Sequence, residues 1–229
     1  FQEGGYEHLN LEAVMEDYRR AKTRVLFIDN EGTVAAKATW EIRHRDGKAL
    51  LKQGAPPDDQ TLHFLQNLAC DRGNTVCVIS GRPPRDLERW FGQVCIGSLG
   101  LFAEHGFSWV LPGSLQRPGS EALKAGHRMP WESMVPQGQD RADEWKEVVS
   151  ELMRQYVKRV QGSVVEYKDS AITWNYGDCG ATELLNSISL ELQRFLDPDN
   201  PGGVMYGFPV KVVSDKGYVE VKRSDVDKG

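Results

Sequence analysis

Two short runs, RVLFID (24–29) and TVCVIS (75–80), set the limits on what this chain can fold into. Each is apolar through its middle and closes on a polar side chain, Asp29 in the first and Ser80 in the second. Runs of this length, rich in β-branched residues and without apolar–polar alternation, suit strands of a parallel sheet buried on both faces. Between them, Asp58 can cap a helix through residue 70, with Leu62, Leu65, Leu68 and Ala69 turned inward, and Gly73-Asn74 stops it. After the second run, Gly81-Arg82-Pro83-Pro84 makes a turn and starts a helix over 84–91. Strand, helix, strand, helix predicts an α/β layer with parallel crossovers. Before this layer, residues 9–22 read as an amphipathic helix with Leu11, Val14, Met15 and Tyr18 on one face. Residues 30–57 read as an irregular stretch rich in Gly and charge.

The pattern changes after about residue 106. A loop rich in Gly and Pro (112–138) leads to a helix over 141–160, with Trp145, Val148, Val149, Leu152, Tyr156 and Val160 on one side. SVVEYK (163–168) and AITWNY (171–176), separated by Asp169-Ser170, predict a hairpin. A second helix over 181–196 turns Leu184, Leu185, Ile188, Leu192 and Phe195 inward, and PDNPGG ends it. VKVVS (210–214) and GYVEVK (217–222) predict another antiparallel pair. Helix, hairpin, helix, hairpin is an α+β layer, expected as a lobe inserted into the α/β core. The predicted division is a core of 1–106 and 206–229 and a cap of 107–205, with cap strands running to about 222.

Composition removes several classes of function. With 28 Lys and Arg against 33 Asp and Glu, the net charge of −5 argues against a surface that coats nucleic acid. No apolar run approaches the ~18 residues of a membrane span, and FQEGGYEHLN lacks the pattern of a signal peptide. Cys70, Cys77, Cys95 and Cys179 contain no C-x-x-C pair, which predicts reduced thiols in a cytoplasmic protein. Asp197-Pro-Asp-Asn-Pro-Gly opens like a calcium loop, but its twelfth position is Phe208, so a turn is expected. The start at Phe1 rather than Met predicts a piece of a longer chain.

The chemistry gathers at the two strand ends. Open α/β sheets bind ligands at the carboxyl ends of their strands. Asp29 stands at such an end, with a second acid, Glu31, two residues on and a Gly32-Thr33 turn after it, the arrangement of a nucleophile beside a proton donor. Ser80 precedes a helix N-terminus, where a hydroxyl can help hold an anion. Either feature alone is a common helix or turn cap; together they point to a phosphate site. Of the six tryptophans, Trp174 beside the strand Glu166–Lys168 is the candidate platform for a sugar ring.

DNEGT (29–33) and VISGR (78–82) resemble motifs one and two of haloacid dehalogenase-type phosphatases, written D-x-D-G-T and a strand-end Ser or Thr. AEHG (103–106), VVEYK (164–168), WNY (174–176), ATELL (181–185) and GYVEVK…VDKG (217–229) resemble, in that order, the trehalose-6-phosphate phosphatase family. YEHLNLEAVMEDYRRAKTR resembles the linker before the phosphatase-like domain in proteins that also carry a trehalose-6-phosphate synthase domain.

The resemblance implies a haloacid dehalogenase-like Rossmannoid parallel-sheet core with an inserted α+β cap. It also implies Mg²⁺-dependent hydrolysis of trehalose 6-phosphate to trehalose and phosphate through an aspartyl-phosphate. Asp29 would be the nucleophile and Glu31 the acid and then the base; the Asp29 carboxylate and the carbonyl of Glu31 would hold Mg²⁺. Ser80 and Lys228 would bind phosphoryl oxygens, while Arg82, His105, Glu166, Lys168 and Glu220 would contact the sugar phosphate. A fourth, acidic motif completing the metal site, and the end of the parallel sheet, would lie beyond Gly229. A synthase domain in the same chain or complex is the implied partner, with no nucleic acid and no membrane. Two departures define a second expectation. Glu31 stands where the family usually has Asp, and Asn175-Tyr176-Gly177 where it often reads His-Tyr-Arg. These fit a phosphatase-like domain of impaired catalysis that regulates a linked or partner synthase.

Overall fold

Val76, Cys77 and Val78 are all buried although they point to alternating faces, which marks their strand as covered on both sides. In the computed structural model this strand, β4 (Asn74–Ile79), lies inside a five-stranded sheet. The structure describes residues 8–36, 41–45, 48–52, 55–92, 99–113, 129–134, 144–177, 179–180, 182–215 and 217–226. β1 (Arg24–Asp29) pairs with β4 in parallel, from Arg24 opposite Asn74 to Asp29 opposite Ile79, and β5 (Leu99–Ala103) pairs in parallel on the other side. β6 (Ser108–Val110) and β7 (Glu132–Ser133) extend the sheet in the antiparallel sense. The expected α/β core is therefore present, as a mixed sheet.

Helices α2 (Asp59–Cys70) and α3 (Pro84–Phe91) close this layer. The Asp58 carboxylate accepts from the Thr61 N–H at 2.7 Å, the N-cap that the sequence predicts. Leu62 and Leu65 from α2, with Leu87, Trp90 and Phe91 from α3, bury against Val76, Val78 and Leu101. Helix α1 (Leu11–Arg20) forms behind the Asn10 cap, but its stripe of Leu11, Val14 and Met15 is exposed because no described element covers it. Only Tyr18 is engaged: it accepts from Asn74 Nδ2 at 2.9 Å and lies under the Arg24 guanidinium.

The second sheet is wholly antiparallel, in the order β10-β11-β9-β8, with β8 (Val164–Tyr167), β9 (Ala171–Asn175), β10 (Val210–Asp215) and β11 (Tyr218–Arg223). Both predicted hairpins form. Helices α4 (Glu144–Arg159) and α5 (Glu183–Leu196) cover one face, where Trp145, Met153, Ile172, Trp174, Leu192, Val219 and Val221 make a separate core. The register places Glu166, Thr173 and Glu220 in one row across the opposite, polar face.

Several expectations are corrected. In the described sheet β1 pairs with β4, and Val25 and Phe27 are largely exposed, Phe27 meeting the Phe102 ring edge-on at 6.1 Å. Residues 30–57 are not irregular throughout: β2 (Glu41–Arg45) and β3 (Lys48–Lys52) form an antiparallel hairpin. The first sheet reaches past residue 107, since β6 and β7 pair within it; β10 and β11 pair within the second sheet, in keeping with cap strands that run to about 222. Val148, Leu184 and Phe195 are exposed because the buried stripes of α4 and α5 are narrower than their apolar stripes. Trp174 is not a sugar platform. It is fully buried on the helix-covered face, packs edge-on against Tyr156, and donates from Nε1 to Ser163 Oγ at 3.0 Å. Residues 197–203 form the expected turn, with the Asp199 N–H donating to the Asp197 carboxylate at 3.0 Å.

Trp174→Ala removes one of the two tryptophans of that second core and leaves the Ser163 hydroxyl without its donor. It is expected to destabilise the protein by about 3–5 kcal/mol in urea unfolding; a loss below about 1 kcal/mol would place the second core elsewhere.

Candidate active site

The backbone of 29–36 turns back because the Asn30 carbonyl accepts from the amides of Thr33, Val34 and Ala35, at 3.4, 3.0 and 2.8 Å. Gly32, at φ 83°, takes the left-handed conformation that allows its own N–H to reach the Ala35 carbonyl at 2.8 Å. Asp29 is exposed at the mouth of this turn. The Asn30 N–H continues the ladder by donating to Ile79 O at 3.1 Å, and its buried side-chain amide donates to Ser80 Oγ at 3.4 Å. The Asp29 loop and the Ser80 loop are thus tied together at the sheet edge.

Ser80 is buried, and its hydroxyl oxygen also accepts from the Arg82 N–H at 3.2 Å. Both contacts use the oxygen as acceptor, so the hydroxyl proton is left to donate to an anion. Arg82 is held inside the protein. Its Nε lies 2.6 Å from Glu31 Oε1, Nη1 lies 4.0 Å from Asp86, and the guanidinium stacks over Trp90 at 4.3 Å. The sequence reading makes Arg82 a substrate contact; here its nearest charged partner is Glu31, the candidate acid and base.

His105 follows the end of β5 in a turn bonded to the same edge: its N–H donates to the Ser80 carbonyl at 2.8 Å. The imidazole lies over Gly81 so closely that a Cβ at 81 would stand 2.8 Å from its Cε1. Glycine at 81 is therefore what leaves room for this ring.

The polar face of the second sheet supplies the other cluster. Lys168 Nζ and Glu220 Oε2 are 3.0 Å apart, and the Thr173 hydroxyl donates to the same oxygen at 2.8 Å. Burial by itself pushes the Glu220 carboxyl up, but the charge of Lys168, with its hydrogen bond, the Thr173 hydroxyl and the His105 charge, holds it below its ordinary value. Burial alone would lower the Lys168 ammonium; the charges of Glu220 and Glu166 hold it above its ordinary value. Glu166 shares the row with Thr173 and Glu220. The structure so brings Asp29, Glu31, Ser80 and Arg82 to one edge and Glu166, Lys168 and Glu220 to one sheet face, with His105 between them. Lys228 lies outside the described residues.

A cleft of about 370 Å³ opens between the two layers, lined by Pro83, Pro84, Glu104, Trp131, Lys168 and Asp169. A larger cavity, about 730 Å³, lies in the second layer against Tyr176, Leu185, Ser189 and Gln193. None of the candidate residues lines it, so its size does not mark the chemistry. Sequence reasoning missed Thr173 and Glu104. Thr173 is legible as the polar member between Ile172 and Trp174 in AITWN; for Glu104 only the neighbouring His105 gives a hint.

Asp29 and the carbonyl of Glu31 offer hard oxygen donors. Mg²⁺ keeps several waters and is commonly held by one or two carboxylates with a substrate phosphate, so this pair fits it. Among the described residues no group of three or more His, Cys, Asp or Glu side chains stands together, and no helix is long and apolar enough to cross a membrane.

A mainly parallel α/β layer that gathers an acid and a hydroxyl at adjoining strand ends, joined to an antiparallel α+β layer, is the fold of haloacid dehalogenase-like phosphatases. Comparison narrows the class: the family model described as trehalose-phosphatase matches residues 48–229, and the chain belongs to that family, as its motifs led us to expect. The C-terminal domain of trehalose-6-phosphate phosphatase from Candida albicans matches with a TM-score of 0.69 at 25% identity, over 98% of this chain and 66% of that one. The trehalose-6-phosphate phosphatase of Aspergillus fumigatus matches with a TM-score of 0.58 at 27% identity, over 98% and 70%. The trehalose-phosphatase of Schizosaccharomyces pombe is 28% identical over 96% of this chain and 22% of its own length. Alpha,alpha-trehalose-phosphate synthase (UDP-forming) 5 of Arabidopsis thaliana is 28% identical over 98% of this chain. The chain spans 22% of the length of these curated relatives.

The depressed carboxyl of Glu220 has a consequence for pH. Its stabilising contribution is complete above the ordinary carboxylate range and is lost as pH falls through its lower, folded-state value. Glu220→Gln, which leaves Lys168 buried without its partner, is expected to cost about 3–5 kcal/mol near neutrality, and the difference from the unaltered protein should shrink in acid. Urea unfolding across a pH series measures this; a cost independent of pH would contradict the assignment.

Proposed function

We propose that this chain carries the site of a Mg²⁺-dependent phosphatase that hydrolyses trehalose 6-phosphate. The observation that supports the reading best is the meeting of two strand ends: Asp29 opposite Ile79 in the β1–β4 ladder, with Asn30 bonded to the Ser80 hydroxyl. In this reading an Asp29 oxygen attacks phosphorus, the bond from phosphorus to the sugar oxygen breaks, and the leaving oxygen takes a proton from Glu31. Glu31, now a carboxylate, removes a proton from water, whose oxygen attacks the aspartyl-phosphate and releases inorganic phosphate and Asp29. The Ser80 hydroxyl, with Lys228, stabilises the phosphoryl oxygens. Asp29 and the Glu31 carbonyl would hold Mg²⁺, which when bound offsets negative charge on those oxygens. The second layer acts as the cap, and Glu166, Lys168 and Glu220 hydrogen-bond the sugar hydroxyls with His105 on the core side.

A second reading is favoured by the 2.6 Å pair between Arg82 and Glu31. A carboxylate engaged by a buried guanidinium must leave it to reach a leaving oxygen. A chain that kept this pair closed would bind the sugar phosphate without cleaving it, and would suit a domain that regulates a linked or partner synthase.

Phosphate release from trehalose 6-phosphate by the full-length protein in magnesium buffer separates these readings. Turnover is expected, with Asp29→Asn lower by roughly a thousandfold or more. Equal turnover in both would remove Asp29 as the nucleophile; tight binding without release would favour the regulator.

A further inference from the structure

We infer that Glu104 is a positioning residue that fixes the cap hairpin against the phosphate-binding edge and so sets the span of the sugar-phosphate pocket; this rests on the phosphatase reading of that site. Glu104 opens the turn that follows β5, and both it and His105 take positive φ, 48° and 61°, a conformation that residues with side chains rarely adopt. Two backbone bonds hold the turn there: the Glu104 N–H donates to Arg82 O at 2.9 Å and the His105 N–H to Ser80 O at 2.8 Å. The turn is therefore bolted to the loop that carries the candidate phosphate-binding hydroxyl.

The side chain crosses to the other layer. It is 1% exposed, and three donors from the tip of the β8–β9 hairpin converge on it. The Asp169 N–H reaches Oε1 at 3.1 Å, and the Ser170 N–H and hydroxyl both reach Oε2 at 2.6 Å. An ionised carboxylate is acceptor-only, so one buried group satisfies the whole hairpin tip through charge-assisted bonds. Burial pushes the carboxyl above its ordinary value, against the opposing pull of these donors.

Position gives this latch its consequence. His105 follows Glu104 directly, and Lys168 directly precedes Asp169, so the carboxylate joins the two chain segments that carry sugar contacts from opposite layers. Lys168 in turn is paired with Glu220, and Glu220 with Thr173. Loosening the latch displaces the Lys168–Glu220 cluster relative to Ser80 while leaving the Asp29–Ser80 edge to its own β1–β4 bonds. A ligand that spans both layers should feel the change; one that needs only the core edge should feel it far less.

The test compares two probes, trehalose 6-phosphate and inorganic phosphate, by calorimetry in magnesium buffer on the full-length protein carrying Asp29→Asn, so that the sugar phosphate is bound without being hydrolysed. For Glu104→Gln, the affinity for trehalose 6-phosphate should fall about tenfold or more relative to that for phosphate, as expected for lost bonds to a charged group. For Ser170→Ala, which removes only the hydroxyl donor, the same ratio should fall several-fold, and this milder variant carries the test should Glu104→Gln not fold. Faster hydrogen exchange at the Asp169 and Ser170 amides, in the same variants, should accompany the loss. Parallel weakening of both probes, or of neither, would overturn the inference and leave Glu104 a structural residue. Binding of neither probe by the protein carrying Asp29→Asn alone would instead overturn the phosphatase reading itself.

Discussion

The parallel ladder between β1 and β4 is the constraint on which the rest of the site depends. It runs from Arg24 opposite Asn74 to Asp29 opposite Ile79, and the Asn30 N–H adds one more bond to Ile79. Side chains alternate along a strand, so a slip of one residue would turn Asp29 to the other face and carry Asn30 away from Ser80. The Ser80 N–H donates to Phe102 O at 2.9 Å, and the Ser80 carbonyl accepts from His105. Three strand ends are therefore locked in one register before any side chain takes part in chemistry.

The two layers do different physical work. The first is a sheet covered by helices, rigid enough to fix an acid and a hydroxyl side by side. The second keeps a row of polar groups on a face that is largely removed from water, and such groups are tolerated only when they are bonded to one another. Lys168, Thr173 and Glu220 meet that condition within the face, while Glu104 meets it across the layers. Arg82 stands apart. It is buried and stacked on Trp90 with its Nε 2.6 Å from Glu31 Oε1, yet Nε, Nη1 and Nη2 form no hydrogen bond among the described residues, so charge and stacking alone hold it. In the proposed reaction Glu31 must leave this pair.

Much of this was legible in the sequence, because its determinants are local. The Asp58 cap, the Pro83-Pro84 helix start, the alternation of AITWN and YVEVK, and the polar ends of RVLFID and TVCVIS each announce their element by short-range chemistry. What was not legible depends on partners distant in the chain. RVLFID announces a strand because it is apolar, but its neighbours are not local information: in the described sheet it pairs with β4. The hairpin of β2 and β3 hides among charged residues, with Asp46-Gly47 as its one local signal. Leu184 and Phe195 continue an apolar stripe that the neighbouring strands are too narrow to cover. Nothing local in AEHG sets Glu104 apart, and only the fold reveals that it is buried beneath the hairpin tip.

Orthovanadate, a phosphoryl mimic, tests the central claim most directly when soaked into crystals of the full-length protein with magnesium. The account predicts vanadium beside an Asp29 carboxylate oxygen, with a vanadate oxygen accepting from the Ser80 hydroxyl. Vanadate bound instead in the cavity beside Tyr176 and Gln193, with the Asp29–Ser80 edge empty, would contradict it.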